Sequence, residues 1–293
     1  MLELVLAVDI GGTKLAVGRV DAAGVLTDQR AVPTPVGGTA DELWDVLAGL
    51  VSAVGRGGEA VVGVGCGGPM EPGGATVSPL NVPAWRGFPL RERLATLTGL
   101  PVHIDNDAKA LALGEGWVGA ARGVRNYIAM VVSTGVGGGI VLDGRLLDGA
   151  TGNAGHVGHV IVEPGGRTCA CGAQGCLEAE ASGPSIRAAT GLDPQAVGDD
   201  VRRRVGTLVG RAVATVANLL DLRLAVVAGS VALGYGATFF DAAQAELDAR
   251  ARIEFSRGAR ILPAGLGDAG PLVGAAAVGR RGLGLDLGLG AGA

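Results

Sequence analysis

Apolar residues recur along the chain in two patterns, short unbroken runs and helical spacings, and the two patterns alternate. Leu4 to Val8 form an apolar run that ends at Asp9, which predicts a buried strand. Similar runs predict strands over residues 15–20, 61–64, 102–104, 127–132, 140–142 and 224–228. Apolar positions at helical spacing predict helices over residues 39–54, 88–97, 108–118 and 201–220. The order of these elements indicates an α/β fold.

Three of the predicted strands are followed by glycine-rich turns, which contain Gly11, Gly135 and Gly229. Ligands of open α/β sheets bind at the carboxyl ends of the strands. The three turns therefore predict one nucleotide-binding cleft that is assembled from separate parts of the chain.

The first of these loops runs from Asp9 to Lys14 with the sequence Asp-Ile-Gly-Gly-Thr-Lys. Gly11 and Gly12 would let backbone N–H groups approach phosphate oxygens, and Thr13 adds a hydroxyl group. Lys14 supplies a compact positive charge, while Asp9 would hold a magnesium ion through water. A tight hairpin turn between two strands explains the same six residues equally well. The spacing of a Walker loop is absent.

The second loop, residues 133–139, lies between two apolar strands, and we interpret it as a phosphate cradle rather than a structural turn. The third loop follows a strand directly, and a plain strand-to-helix turn explains it equally well. The phosphate contacts predicted in these two loops are Thr134, Gly135, Gly137, Gly229 and Ser230. Together, the three loops indicate an ATPase-type fold of two ribonuclease H-like lobes, which actin and hexokinases share.

A cluster of cysteines follows His159, at positions 169, 171 and 176. Three thiolates and one imidazole are the ligand set of a closed, tetrahedral zinc site, so we predict a structural zinc ion on His159, Cys169, Cys171 and Cys176. The alternatives are reactive or disulfide-bonded cysteines, and a disulfide would leave one of the three unpaired. The zinc would hold the preceding loop, from Gly155 to His159, in a fixed shape.

Composition removes several classes of protein from consideration. Of the 293 residues, 54 are glycine and 48% are hydrophobic, and the formal net charge is −4. High apolar content and low net charge argue against disorder, and the glycines lack the three-residue period of collagen. The acidic balance disfavours nucleic-acid binding by bulk charge. No signal peptide and no apolar run of membrane-spanning length are recognisable, so a cytoplasmic protein is expected.

Taken together, the motifs resemble those of the ROK family of bacterial sugar kinases. The matching residues are the loop Asp9–Lys14, Asn106-Asp107-Ala108, Ser133–Gly139, Gly155-His-Val-Gly-His159 and the stretch Cys169–Glu178. The resemblance implies two α/β lobes that close over a sugar and ATP with Mg²⁺, and phosphorylation of a sugar hydroxyl, usually on carbon 6. The implied divisions are a small lobe over 1–107, a large lobe over 108–275 with the zinc loop at 155–178, and a C-terminal segment over 276–293. That segment would form a helix returning to the small lobe and then a flexible tail.

The resemblance also assigns roles to particular residues. Asp107 would be the general base that accepts the proton of the attacking hydroxyl, a role that a carboxylate at a strand end suits. Asp105 is the competing carboxylate, and the position within the family motif favours Asp107. Asn106, Asn81 and the turn that contains Gly68 would hold sugar hydroxyl groups.

Three further residues are implied to contact the sugar. His159 would give one ring nitrogen to zinc and the other to the sugar, and Glu178 would accept hydrogen bonds from hydroxyls near carbon 1. Position 156 is usually glutamate in glucokinases of the family and is histidine here. Because a histidine can donate to the carbonyl of a 2-acetamido group, His156 resembles the N-acetylmannosamine kinase branch. The alternative is that His156 only fills space beside the zinc loop.

Two other functions compete with the kinase. A sugar-responsive ROK repressor would need a DNA-binding domain before the loop at Asp9, where we expect no room for one. A catalytically dead sugar sensor is disfavoured because Asp107 and the phosphate loops are present. We therefore expect a sugar kinase of glucose or N-acetylmannosamine, using ATP or polyphosphate, without nucleic-acid or membrane partners and assembled as a homodimer or homotetramer.

Overall fold

The computed structural model describes residues 4–289, which form ten strands and eight α-helices. The strands are β1 (Leu4–Ile10), β2 (Lys14–Val20), β3 (Leu26–Pro33), β4 (Glu59–Cys66), β5 (Val102–Asn106), β6 (Tyr127–Val132), β7 (Val136–Leu142), β8 (Arg145–Leu146), β9 (Leu224–Ala228) and β10 (Arg260–Pro263). The helices are α1 (Ala40–Val54), α2 (Leu90–Thr98), α3 (Asp107–Val118), α4 (Leu177–Ala181), α5 (Gly183–Thr190), α6 (Asp199–Leu220), α7 (Ser230–Arg250) and α8 (Gly270–Gly282). None of the helices in this range combines the length and the apolar composition that a membrane crossing requires.

The described residues divide into two compact units. Unit 1 contains residues 4–122, 150–152 and 266–289, and unit 2 contains 123–149 and 153–265. The expected boundaries at 107/108 and 275/276 differ from this division. The reason is that α3 and the whole of α8 pack within unit 1.

Unit 1 is built on a five-stranded sheet with the order β3-β2-β1-β4-β5. β1, β2 and β3 are antiparallel, whereas β1, β4 and β5 are parallel. The parallel register places Asp9, Gly65 and Asp105 side by side at the carboxyl ends of their strands. Helix α1 begins after Thr39, which forms a capping box with Glu42.

Helix α8 is the last element of unit 1 and lies against its central strands and α3. The contact is close because glycines face backbone atoms on both sides. A Cβ atom on Gly63 would lie 2.1 Å from the carbonyl oxygen of Ala275, and one on Gly274 would lie 2.6 Å from that of Ala110. The backbones pack without intervening side chains at these positions, which accounts for glycines far from any loop.

The predicted flexible tail from Gly282 is only partly described. Leu287 and Leu289 are buried, so this stretch packs against unit 1 rather than extending freely. The flexibility of the tail stays a prediction, and residues 290–293 lie outside the described range.

Unit 2 has a second five-stranded sheet with the order β10-β9-β6-β7-β8. β6 and β7 are antiparallel, while β6, β9 and β10 are parallel. Helices α6 and α7 cover this sheet, and their backbones come close at Gly206, where a Cβ atom would lie 2.3 Å from the carbonyl oxygen of Phe239. The helical periodicity of residues 201–220 is confirmed by α6.

The glycine-rich stretch over 133–139 is not the long loop that we expected. β7 begins at Val136, which pairs with Val132, so the loop contains only Ser133, Thr134 and Gly135. Gly137, predicted as a phosphate contact within the loop, lies instead in the strand opposite Val131. The apolar run over 140–142 was only the more recognisable end of this strand.

Candidate functional site

Two carboxylates lie at the carboxyl ends of the parallel strands of unit 1. Asp9 is on β1, and Asp107 begins α3 directly after β5. Between them is Gly65, on which a Cβ atom would lie 3.7 Å from Oδ1 of Asp9 and 3.9 Å from Cα of Asp107. The strand register thus places both acids around one residue that has no side chain.

The charge on Asp9 is poorly compensated. Burial and the nearby negative charge of Asp107 raise the pKa of Asp9 to about 7, and the positive charge of Lys14 offsets part of this. Within residues 4–289 its carboxylate accepts no hydrogen bond. A buried carboxylate of this kind favours a cation as its partner.

The predicted first phosphate loop forms a hairpin connection between β1 and β2. The amide of Gly11 donates to the carbonyl of Lys14 (3.0 Å), and the hydroxyl of Thr34 donates to the carbonyl of Gly11 (2.7 Å). A Cβ atom on Gly12 would lie only 2.5 Å from the Cβ of Asn81. The loop and the predicted sugar ligand Asn81 are therefore in contact, while Thr13 and Lys14 are exposed.

Asn106 and Asp107 form the N-terminus of α3. The side-chain oxygen of Asn106 accepts the amide of Ala108 (3.0 Å), so Asn106 caps the helix, and Oδ1 of Asp107 accepts the same amide (2.8 Å). The Asn106 side-chain nitrogen faces Gly68, at 3.6 Å from the position of a Cβ there. Asp107 is exposed in the first turn of the helix.

Asp105, the competing carboxylate, is held in ion pairs. Its oxygens lie 3.0 Å from Nζ of Lys109 and 3.4 Å from Nη1 of Arg281. Lys109 is buried and also donates to the carbonyl of Gly152 (3.2 Å). These ion pairs were not predicted from the sequence, although the i, i+4 spacing of Asp105 and Lys109 at a strand-to-helix junction indicates one of them.

In unit 2 the two predicted phosphate loops come together. The hydroxyl oxygens of Ser133 and Ser230 are 2.9 Å apart. Gly229, with φ of 100°, lies against the end of β6, since a Cβ atom there would be 2.3 Å from the carbonyl oxygen of Val132. Thr134 is exposed at the tip of the hairpin.

Glu178 lies beside the same hairpin. Its Oε2 atom accepts a hydrogen bond from the amide of Val136 (2.9 Å) and faces Gly135, where a Cβ atom would be 3.1 Å away. Glu178 is on α4, which begins immediately after Cys176. The predicted sugar contact and the predicted metal ligands therefore belong to one continuous segment.

Glycines hold the segment with both candidate histidines against β7. Cβ atoms on Gly155 and Gly158 would lie 2.2 Å from the carbonyl oxygens of Gly138 and Val136, respectively. The strand glycines thus serve close backbone packing. The segment presents His156 and His159 with their rings stacked, 6.1 Å between centroids, and both side chains are exposed.

The predicted metal ligands converge. The ligand atoms of His159, Cys169, Cys171 and Cys176 all lie within 4.8 Å of one another. Cys169 Sγ is 3.6 Å from His159 Nδ1, Cys171 Sγ is 3.7 Å from Cys176 Sγ, and the cysteines form no disulfide. Tetrahedral zinc, with bonds of about 2.0–2.3 Å, has ligands at about these separations, so the donor set fits this ion.

The family model described as the ROK family matches residues 5–281, and the chain belongs to this family. Its fold is the α/β, two-sheet arrangement of actin and hexokinases. An N-acetylmannosamine kinase of Citrobacter koseri is 40% identical over 246 residues, covering 79% of this chain and 84% of that protein.

Two solved structures are similar over nearly the whole chain. A ROK family glucokinase from Streptomyces griseus, in complex with glucose and AMPPNP, is 32% identical with a TM-score of 0.82, covering 95% of this chain and 99% of that one. A ROK hexokinase from Thermus thermophilus is 32% identical with a TM-score of 0.80, covering 96% and 99%.

Proposed function

We propose that the chain is an ATP-dependent sugar kinase that phosphorylates the 6-hydroxyl of a hexose or N-acylhexosamine. The observation that carries the proposal is the placement of Asp9 and Asp107 around Gly65, beside the glycine loop of unit 1. The kinases among its relatives support the same reaction class. The repressor alternative is less supported: a ROK family transcriptional regulator shares the fold at 21% identity, whereas the relatives at 32–40% identity are named as kinases.

In this reaction Asp107 is the general base. Its carboxylate accepts the proton of the sugar hydroxyl, whose oxygen forms a bond to the γ-phosphorus of ATP. The bond between that phosphorus and the bridging oxygen breaks, and ADP leaves. Asp105 does not compete for the role, because Lys109 and Arg281 already pair with it.

Nucleotide binding uses the glycine loops of each unit. In unit 1 the backbone N–H of Gly12, with Thr13 and Lys14, would bind phosphate oxygens, Gly11, whose amide donates to Lys14, would shape the loop, and Asp9 would hold Mg²⁺. When bound, Mg²⁺ neutralises charge that develops on the phosphate oxygens. The corresponding groups of unit 2 are Thr134, Gly135, Gly229 and Ser230.

Sugar recognition draws on hydrogen-bonding groups that the fold leaves accessible. In unit 1 these are Asn81 and the side-chain nitrogen of Asn106 beside Gly68. In unit 2, Oε2 of Glu178 is occupied by Val136, so Oε1 accepts the sugar hydroxyl.

The two exposed histidines of unit 2 set the preference at carbon 2. Nδ1 of His159 faces the cysteines, which leaves Nε2 for the sugar. His156 donates to an acetamido carbonyl, which favours N-acetylmannosamine over glucose. This preference agrees with the name of the Citrobacter koseri relative.

We also propose one structural zinc ion on His159, Cys169, Cys171 and Cys176. Four protein ligands leave no open position, so the ion shapes the loop and takes no part in the reaction. Metal analysis of purified protein should find one zinc per chain. A folded, active preparation without zinc would contradict the proposal.

The decisive experiment measures ADP release with glucose, mannose, N-acetylglucosamine and N-acetylmannosamine as acceptors. We expect sugar-dependent ATP consumption, with N-acetylmannosamine preferred, and polyphosphate in place of ATP tests the donor. Absence of turnover with every sugar would contradict the kinase. Sedimentation of the same sample tests the expected homodimer or homotetramer. We also propose a cytoplasmic location, because the reaction needs ATP.

A further inference from the structure

Helix α4 carries two glutamates that face different ways. Glu178 and Glu180 are two positions apart, which is about 200° around a helix, so they lie on nearly opposite sides. Glu178 contacts Val136 in the hairpin. Glu180 contacts the segment between the histidine and cysteine ligands, and only 2% of its side chain is exposed.

Glu180 joins several segments of unit 2. Its Oε1 accepts the backbone amide of Arg167 (2.7 Å), and its Oε2 pairs with Nη2 of Arg167 (3.0 Å) and Nη2 of Arg204 (3.2 Å). Arg167 in turn donates to the carbonyl of Ser185 (2.7 Å). The carboxylate therefore connects the cysteine-bearing hairpin, α4, α5 and α6.

This arrangement keeps a buried charge in place. Burial alone would raise the pKa of Glu180, but the amide and guanidinium of Arg167, together with the charge of Arg204, outweigh it and lower the pKa. Removing the charge would leave Arg167 without its principal partner, and the position of the hairpin relative to α4 would no longer be fixed.

The same short helix is attached to the candidate phosphate hairpin on its other side. The hydroxyl of Ser185 donates to the carbonyl of Glu178 (3.0 Å), and the amide of Gly183 donates to the carbonyl of Ser133 (2.8 Å). A shift of α4 would therefore move Glu178 relative to Val136.

We propose that Glu180 is a positioning residue, which through Arg167 holds α4 so that Glu178 stays against the amide of Val136 and presents its other oxygen to the sugar. The effect on the sugar rests on the proposed function, whereas the effect on Val136 does not. Glu180 itself contacts neither substrate.

The test compares Glu180→Gln with Glu59→Gln. Glu59 is the control in unit 1, because its carboxylate is likewise buried and binds an arginine, Arg19 (2.7 Å), and a backbone amide, that of Arg56 (3.2 Å), whereas Glu180 has Arg204 as a second arginine partner. Amide hydrogen exchange at Val136 and the KM values for sugar and ATP are measured in each. For Glu180→Gln we expect exchange and sugar KM to rise about tenfold, with the KM for ATP within about twofold of the unmodified chain. The control should change neither.

A second variant, Arg167→Lys, keeps the positive charge but loses the forked contact with the Glu180 carboxylate. It should show the same changes at about threefold, and it replaces Glu180→Gln in the test if that variant does not fold. Unchanged Val136 exchange in folded variants would overturn the inference. An unmodified chain that phosphorylates no sugar would contradict the proposed function, and the exchange measurement would still decide the role of Glu180.

Discussion

The two units form their candidate sites by different physical means. In unit 1 the important groups are charges, Asp9 and Asp107, at the ends of parallel strands around Gly65. In unit 2 the hairpin and the histidine segment are held by glycines whose backbones touch, at Gly138 and Gly155. Similar glycine-rich sequences therefore have different roles. In unit 1 the glycine loop can approach Asn81, and in unit 2 two backbone segments can pack directly against each other.

The largest effect should come from removing the charge of Asp107. Asp107→Ala should lower kcat by about 10²–10⁴-fold or more, because the acceptor hydroxyl loses its base. Sugar binding and the thermal midpoint should change little, since the side chain is exposed. The control is Asp105→Asn, which should destabilise the chain by removing the charge that pairs with buried Lys109, while turnover persists. Near-normal turnover in Asp107→Ala would refute the assignment.

In unit 2 the largest expected effect is a loss of stability, caused by disrupted backbone packing. Gly155→Ala places a Cβ atom against the carbonyl of Gly138 at a φ of 103°, and we expect a loss of about 3 kcal/mol in the free energy of unfolding. Gly191→Ala is the control, because its φ is also positive (71°) but no atom lies within 4 Å of the new Cβ. It should cost about 1 kcal/mol. Equal losses in urea unfolding would show that the close backbone contact contributes nothing.

Asp9 tests the electrostatic side of the comparison. Its pKa rises from 3.8 to about 7 in the folded chain, so the folded state holds a proton that the unfolded state has released. Without nucleotide, the free energy of unfolding should fall as pH rises from 4 to 7. Asp9→Asn should raise it by about 1–2 kcal/mol at pH 8, with little effect at pH 4, and should abolish stabilisation by Mg²⁺ and ATP. A pH-independent difference in urea unfolding would contradict this.

The smallest effect concerns His156. His156→Glu should shift the ratio of kcat/KM values from N-acetylmannosamine toward glucose by about threefold to tenfold, because glutamate only accepts hydrogen bonds. His156→Gln retains a donor and should keep the original preference. If both variants leave the ratio unchanged in the ADP-release assay, His156 has no part in selectivity.

Local patterns predicted much of the fold. The strand before Asp9, the helix over residues 39–54 and the long apolar face of α6 were predicted from neighbouring residues, and all three are confirmed. The start of β7 was not predicted, because its glycines are typical of a loop. The reason for glycine in this strand is the close packing of the segment with Gly155 and Gly158, which is distant in the sequence.

The candidate site shows the same limit. His159 and the three cysteines could be grouped from spacing alone, and their ligand atoms do converge. The partners of Glu180 could not be predicted, because Arg167 and Arg204 lie 13 and 24 positions away and carry no motif.

The packing of α8 has a consequence for synthesis. Unit 1 supplies the first strands to leave the ribosome, yet Gly63 of its central β4 fits against Ala275 near the end of the chain. Unit 2 has all its described residues by position 265. During synthesis, unit 2 can therefore fold before unit 1. Until α8 has been made, the apolar face of the unit 1 sheet that α8 covers stays exposed to solvent or to chaperones.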